Sequence, residues 1–323
     1  MSRGLVRALL ALAALAASAA AAGGALVERI VGGSPVDATT YPFAVRLSIM
    51  DGPMDYRCGG TLIADDLVVT AAHCIVEPQM ATPFLLEKVN VCYSDSNVSG
   101  QTCTVALNTT VHPRYNPLVL TNDIALIRIA PVEITSTTAP AAVYTGKLPE
   151  NTTLTTMGWG KTDSSSEALP STLMSTDIVV GSPDTCREAQ PLYRSADGPD
   201  VCTVNALTPG RDSCQGDSGS PTVIAVDGGA QLVALTSAGI DLSNTSATDC
   251  AMPNGLAIYT HIYYYIDFIA STSGRPQSSF TGSAGAGGQS ADSDRASSVA
   301  AAISCLPSVA AAIAALLVAS AVL

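Results

Sequence analysis

Between residues 212 and 221 the chain reads Asp-Ser-Cys-Gln-Gly-Asp-Ser-Gly-Ser-Pro. Ser218 stands there among glycines, two aspartates and a half-cystine. Glycine lets a backbone turn sharply and bring its N–H groups close to a bound molecule. A serine hydroxyl is a weak nucleophile until a base takes its proton. The stretch therefore calls for a histidine and for a carboxylate to orient it. Both lie upstream: His73 in Thr-Ala-Ala-His-Cys and Asp123 in Asn-Asp-Ile-Ala-Leu. Of the three histidines, His112 precedes a proline in a loop and His261 falls near a terminal helix, so His73 is the candidate base. The order His, Asp, Ser excludes the α/β-hydrolase arrangement, where serine comes first within Gly-X-Ser-X-Gly. Here the fifth residue of that motif is Ser220.

The two ends of the chain read as processing signals. Residues 1–22 have a basic start and an Ala/Leu-rich run ending in small residues, which predicts a secretory signal peptide. Residues 23–29 are too short to fold alone and end at Arg29, as an activation propeptide would. Residues 273–298 are a Ser/Gly-rich stalk, and residues 299–323 an apolar tail with no basic flank after it. Small residues at 285–288, a polar spacer and that tail predict a GPI-attachment signal, and thus a cell-surface protein held by a lipid anchor. The competing reading is a tail-anchored membrane helix.

Nine cysteines are present, and Cys305 lies in the tail. The other eight, Cys58, Cys74, Cys92, Cys103, Cys186, Cys202, Cys214 and Cys250, form the even set expected of a secreted disulfide framework. Sequons at Asn97, Asn108, Asn151 and Asn244 are candidate glycosylation sites. The net charge of −12 with no basic patch excludes nucleic acid as a natural partner. Asp95 lacks the further acidic oxygens a calcium site needs, so neither metal nor cofactor is expected.

From residue 42 onward the chain shows short apolar runs separated by turns. Examples are residues 43–49, 60–63, 67–70 and 124–129, then 153–157, 174–180, 221–226, 231–236 and 257–259. Many short strands at this spacing predict all-β barrels. Residues 89–92 and 103–106 read as a hairpin that Cys92 and Cys103 would staple. Apolar residues at 262, 265, 266 and 269 have helical spacing, so one short C-terminal helix is expected.

With Ile30-Val31-Gly32-Gly33 near the start, these motifs together resemble the trypsin/chymotrypsin family of serine endopeptidases. The resemblance covers residues 30–272. It implies two packed six-stranded Greek-key barrels, with His73 and Asp123 from the first and Ser218 from the second. It implies the pairs Cys58–Cys74, Cys186–Cys202 and Cys214–Cys250. Gly216 and Ser218 would supply the oxyanion hole, and Asp217 would pair with the new amine of Ile30 after cleavage at Arg29. Asp212 would lie at the base of the specificity pocket and select Arg or Lys. Ser237, Gly239 and Ala257 would line that pocket, and Ser237 could also reach Asp123. The expected partners are protein or peptide substrates and protein protease inhibitors, and the expected state is a monomer.

Three departures bear on the cleft. Ala238 stands where the family usually has Trp. Ala257 stands where many trypsins have Gly, and its methyl predicts a preference for Arg over Lys. The loop over residues 240–249 is long and carries the Asn244 sequon. A non-catalytic relative would lack a triad member, whereas His73, Asp123 and Ser218 are all present.

Overall fold

A computed structural model describes residues 30–77, 82–165, 169–243 and 249–282. The expected signal peptide, the propeptide with Arg29, Asn244, most of the stalk, Cys305 and the apolar tail lie outside the described residues. The chain divides after Gly285, and its second unit lies wholly outside them. No described helix is long and apolar enough to cross a membrane.

The apolar runs become antiparallel strands, broken where Gly, Pro or Asp interrupts them. After the two-residue β1 (Ser34–Pro35), the first sheet uses β2 (Ala44–Asp51), β3 (Met54–Ala64), β4 (Leu67–Thr70), β5 (Val89–Tyr93), β6 (Thr102–Val105), β7 (Asn108–Val111) and β8 (Ala125–Arg128). Its order is β6-β5-β2-β3-β4-β8-β7. The two end strands are consecutive in sequence, joined by Ala106 and Leu107. Ala106 N–H donates to Val89 O at 2.9 Å and Leu107 N–H to Arg128 O at 2.7 Å, so one bent run closes the barrel.

The second sheet uses β9 (Thr153–Gly158), β10 (Met174–Val179), β11 (Asp200–Val204), β12 (Pro221–Val226), β13 (Gly229–Asp241) and β14 (Gly255–His261), in the order β1-β10-β9-β12-β13-β14-β11. Val180 bridges Thr203, which brings β10 round to β11. The expected all-β architecture is thus observed as two antiparallel sheets of seven strands each, with β6 and β7 forming one bent run in the first and β1 added outside β10 in the second.

The four disulfides are Cys58–Cys74, Cys92–Cys103, Cys186–Cys202 and Cys214–Cys250, as expected. Cys92 and Cys103 stand directly opposite on β5 and β6. A single helical turn, α1 (Pro183–Cys186), is capped by the Ser182 side chain. The chain then ends in a 3-10 turn at Tyr263–Tyr265 and α2 (Ile266–Ser273), which stops at Gly274 in the left-handed conformation. Ile262, Tyr265, Ile266 and Ile269 are all buried, and they join the largest core cluster, which combines the first sheet's apolar residues with Met157, Val223, Leu232 and Leu235 of the second.

Candidate active site

β4 is buried along its whole length and delivers the chain into a short 3-10 turn, Ala72–Cys74, which presents His73. β8 does the same for Asp123, which lies just before it and is 1% exposed. His73 N–H donates to Asp123 Oδ1 at 2.9 Å, and His73 Nδ1 lies 2.7 Å from Asp123 Oδ2. A carboxylate can only accept, so Nδ1 carries the proton and Nε2 is left as the basic nitrogen. Ser237 Oγ donates to Asp123 Oδ2 at 2.6 Å, so the suggested contact is made. Thr260 Oγ1 holds the Asp123 carbonyl at 2.9 Å. Three donors on one buried carboxylate offset the loss of water around it.

Ser218 belongs to the loop before β12. Its carbonyl accepts from Gly59 N–H at 2.8 Å, on the strand whose Cys58 is bonded to Cys74 beside His73. That chain of bonds ties the serine loop to the histidine turn across the two barrels. Gly216 has φ +97° and Gly219 φ +74°, a region side chains rarely adopt. A Cβ on Gly219 would also lie 2.6 Å from the Gly59 carbonyl. Among the described residues no acceptor takes the N–H of Gly216 or Ser218. Cys58, His73 and Cys74 cluster closely enough for a metal, but a disulfide removes both thiolates, so the set does not suit one.

A cavity of about 230 Å³ opens beside Ser218. Asp212, Ser237, Ala238 and Gly239 line it, as do Asp241 and Asp249. The chain's one tryptophan, Trp159, lies elsewhere and donates to Ser96 O. Asp212 is 4% exposed. Burial pushes its carboxyl up to about 6, against the hydrogen bonds it receives from Asn205, Ala251 and Ser213.

Ala257 is placed differently from the expectation that it lines the pocket. It is not among the residues lining this cavity, and it packs with Leu154, Val201 and Tyr259 in the second barrel's core. Alternation along β14 sends Ala257 and Tyr259 to that cluster and Leu256 and Ile258 to another. Asn205, which lines the cavity and touches Asp212, was not singled out from sequence. An asparagine after a short apolar run reads as a turn residue.

Ile30 is fully buried, and Val31 bridges Asp212. Asp217 is buried as well, and accepts from Gly160 N–H at 2.7 Å and Cys214 N–H at 2.9 Å. Burial raises its carboxyl to about 7, and the charge of Asp212 adds to the rise. Among the sequons, Asn108 and Asn151 are exposed, and Asn97 is half-buried with its side chain capping Ser99.

A family model described as Trypsin matches residues 30–269. Similar curated proteins include Putative trypsin-6 of Homo sapiens, 30% identical over 76% of this chain and 90% of the relative. Serine protease 1 of Rattus norvegicus is 31% identical over 76% of this chain and 90% of the relative. A Trypsin of Saccharopolyspora erythraea is 32% identical over 74% of this chain and 96% of the relative.

Proposed function

The chain belongs to the trypsin family and is a serine endopeptidase, and from that premise we propose that it cuts peptide bonds after Arg and Lys, using His73, Asp123 and Ser218, once cleavage at Arg29–Ile30 has activated it. The observation that carries this reading is the buried Asp123 carboxylate. It receives the N–H and Nδ1–H of His73 and the hydroxyl of Ser237. A histidine held in that tautomer has one task open to it, to exchange a proton at Nε2 with a neighbouring hydroxyl.

Ser218 Oγ attacks the scissile carbonyl while His73 Nε2 takes its proton. Asp123 stabilises the imidazolium without becoming protonated. The free N–H groups of Gly216 and Ser218 bind the oxyanion, where each such donor is worth about 3–4 kcal/mol of barrier. His73 then protonates the leaving amine, and water repeats the sequence on the acyl-enzyme. Asp212 supplies the charge for an Arg or Lys side chain, with Asp241 and Asp249 adding to the negative field. Asp217 has only backbone N–H partners and no cation among the described residues, and the ammonium of a freed Ile30 would supply one.

Four disulfides suit an oxidising, extracellular compartment. The terminal signals add secretion and a GPI anchor to the reading, with glycans on exposed sequons and protease inhibitors as further partners. Protein cleaved at Arg29 and assayed on peptides varied before the scissile bond tests the main claim. Turnover confined to Arg and Lys is expected, with Ser218→Ala falling by at least about 10⁴-fold. Equal turnover in Ser218→Ala, or cleavage mainly after aromatic residues, would refute it.

A further inference from the structure

We infer that Asn205 is a positioning residue that occupies one oxygen of Asp212 and leaves the other for a substrate cation, so that the pocket takes a lysine ammonium about as readily as an arginine guanidinium. The inference rests on the reading of Asp212 as the pocket's base.

A carboxylate has two acceptor sites on each oxygen. An arginine fork uses one site on each oxygen in parallel, and from this comes its advantage over a point-like ammonium. Here Oδ2 of Asp212 already accepts from Asn205 Nδ2 at 2.9 Å and from Ala251 N–H at 3.3 Å. Its two sites are filled. Oδ1 has a weak side-chain contact, Ser213 Oγ at 3.5 Å, beside the bond that the Ser213 backbone N–H gives the carboxylate, and that hydroxyl also lies 3.2 Å from Tyr259 OH, which can take its proton instead. The free acceptor capacity is therefore on one oxygen. An ammonium can use it fully, whereas a guanidinium is reduced to a single-sided contact.

The surrounding chain is arranged to hold the asparagine there. Asn205 is 2% exposed and opens the 3-10 turn Asn205–Leu207 directly after β11. Its side chain faces a carboxylate, so the amide must present its NH₂ group. Gly255, at the start of β14, leaves the room, since a Cβ there would lie 2.4 Å from Asn205 Nδ2. Ala251 has φ +56°, a conformation alanine seldom takes, and in it points its N–H at the same oxygen. With Ala257 outside the cavity lining, selection between the two cations falls to the donors on Asp212.

The test uses protein cleaved at Arg29 and carrying Ser218→Ala, with butylammonium and butylguanidinium titrated by calorimetry. The two dissociation constants should agree within about threefold, and Asn205→Leu should improve guanidinium relative to ammonium by about tenfold. A tenfold guanidinium preference before Asn205 is changed would overturn the inference and leave Asp212 as the base. An unaltered ratio in folded Asn205→Leu would overturn it too. Should Asn205→Leu not fold, kcat/KM of the wild type on matched Lys and Arg peptides decides, near-equal values supporting the inference and a tenfold Arg preference refuting it. If neither cation binds and uncharged indole does, the assignment of Asp212 itself falls.

Discussion

At the residue scale, Gly239 and Ala257 make opposite predictions although they face each other across β13 and β14. A Cβ at Gly239 would meet no other atom within 4 Å, and Gly239 lines the cavity. Gly239→Val should therefore fold normally and obstruct the pocket, raising KM for Arg and Lys peptides by about tenfold or more. Ala257→Gly should do the reverse. It removes a buried methyl and loosens a strand, costing about 1–2 kcal/mol of stability, and it leaves the ratio of Arg to Lys turnover unchanged. Denaturant unfolding and matched-peptide kinetics on both proteins check the pair, and a changed Arg/Lys ratio in Ala257→Gly would return it to the pocket. The motif around Ser218 made the proposed triad legible, because few arrangements need glycines, a serine and a distant histidine together. The facing of Ala257 was not legible. All seven residues of β14 are buried, so no alternation of polar and apolar residues marks its two faces, and β13 changes register between Thr236 and Ala238.

At the scale of elements, long apolar runs were readable as strands and two short, mixed ones were not. β7 is Asn-Thr-Thr-Val with no fully buried residue, and β11 reads Asp-Val-Cys-Thr-Val. The pairing of β7 comes from neighbours that need partners for their backbone groups, whereas β11 buries Val201, Cys202 and Val204 in the apolar clusters beside β14. The terminal helix was readable from spacing alone, and its burial gives it a clear stability role. Ile269 is fully buried in the core cluster that both sheets share, and Arg128 and Arg275 add bonds at the helix end, to Ser273 O and to Asp66. Ile269→Ala should cost about 2–4 kcal/mol through the cavity it leaves. Ile269 contributes no group to the candidate site, so kcat/KM at 25 °C should stay within about twofold. A loss of stability below about 1 kcal/mol would mean that the site collapses around the shorter side chain.

At the scale of the whole molecule, the proposed activation runs through one carboxylate. Asp217 has its carboxyl raised by burial to about 7, above its ordinary 3.8, when no cation faces it. Between those values the folded, uncut chain holds a proton that the unfolded chain has released. Its stability is therefore fullest at low pH and is lost as pH rises to about 7. Above that pH the uncut chain must either keep an unpaired buried anion or open the loops around it. In the proposed activation, cleavage at Arg29–Ile30 would supply an ammonium that lowers the carboxyl again and reverses the sign, so the processed chain should lose this contribution as pH falls. Asp212 and Asp200, both raised to about 6 by burial, add a slope of the first sign to both forms. The informative quantity is thus the difference between them. The comparison is hydrogen exchange of Arg29→Gln and of processed protein, each carrying Ser218→Ala, at pH 5 and pH 8 after correction for intrinsic rates. Protection at residues 158–160 and 214–219, which surround Asp217, should fall at pH 8 in the uncut chain by about tenfold or more, and hold in the processed one. Equal protection of the two forms at pH 8 would show that Asp217 does not depend on the Ile30 amine, and the activation switch would have to lie elsewhere.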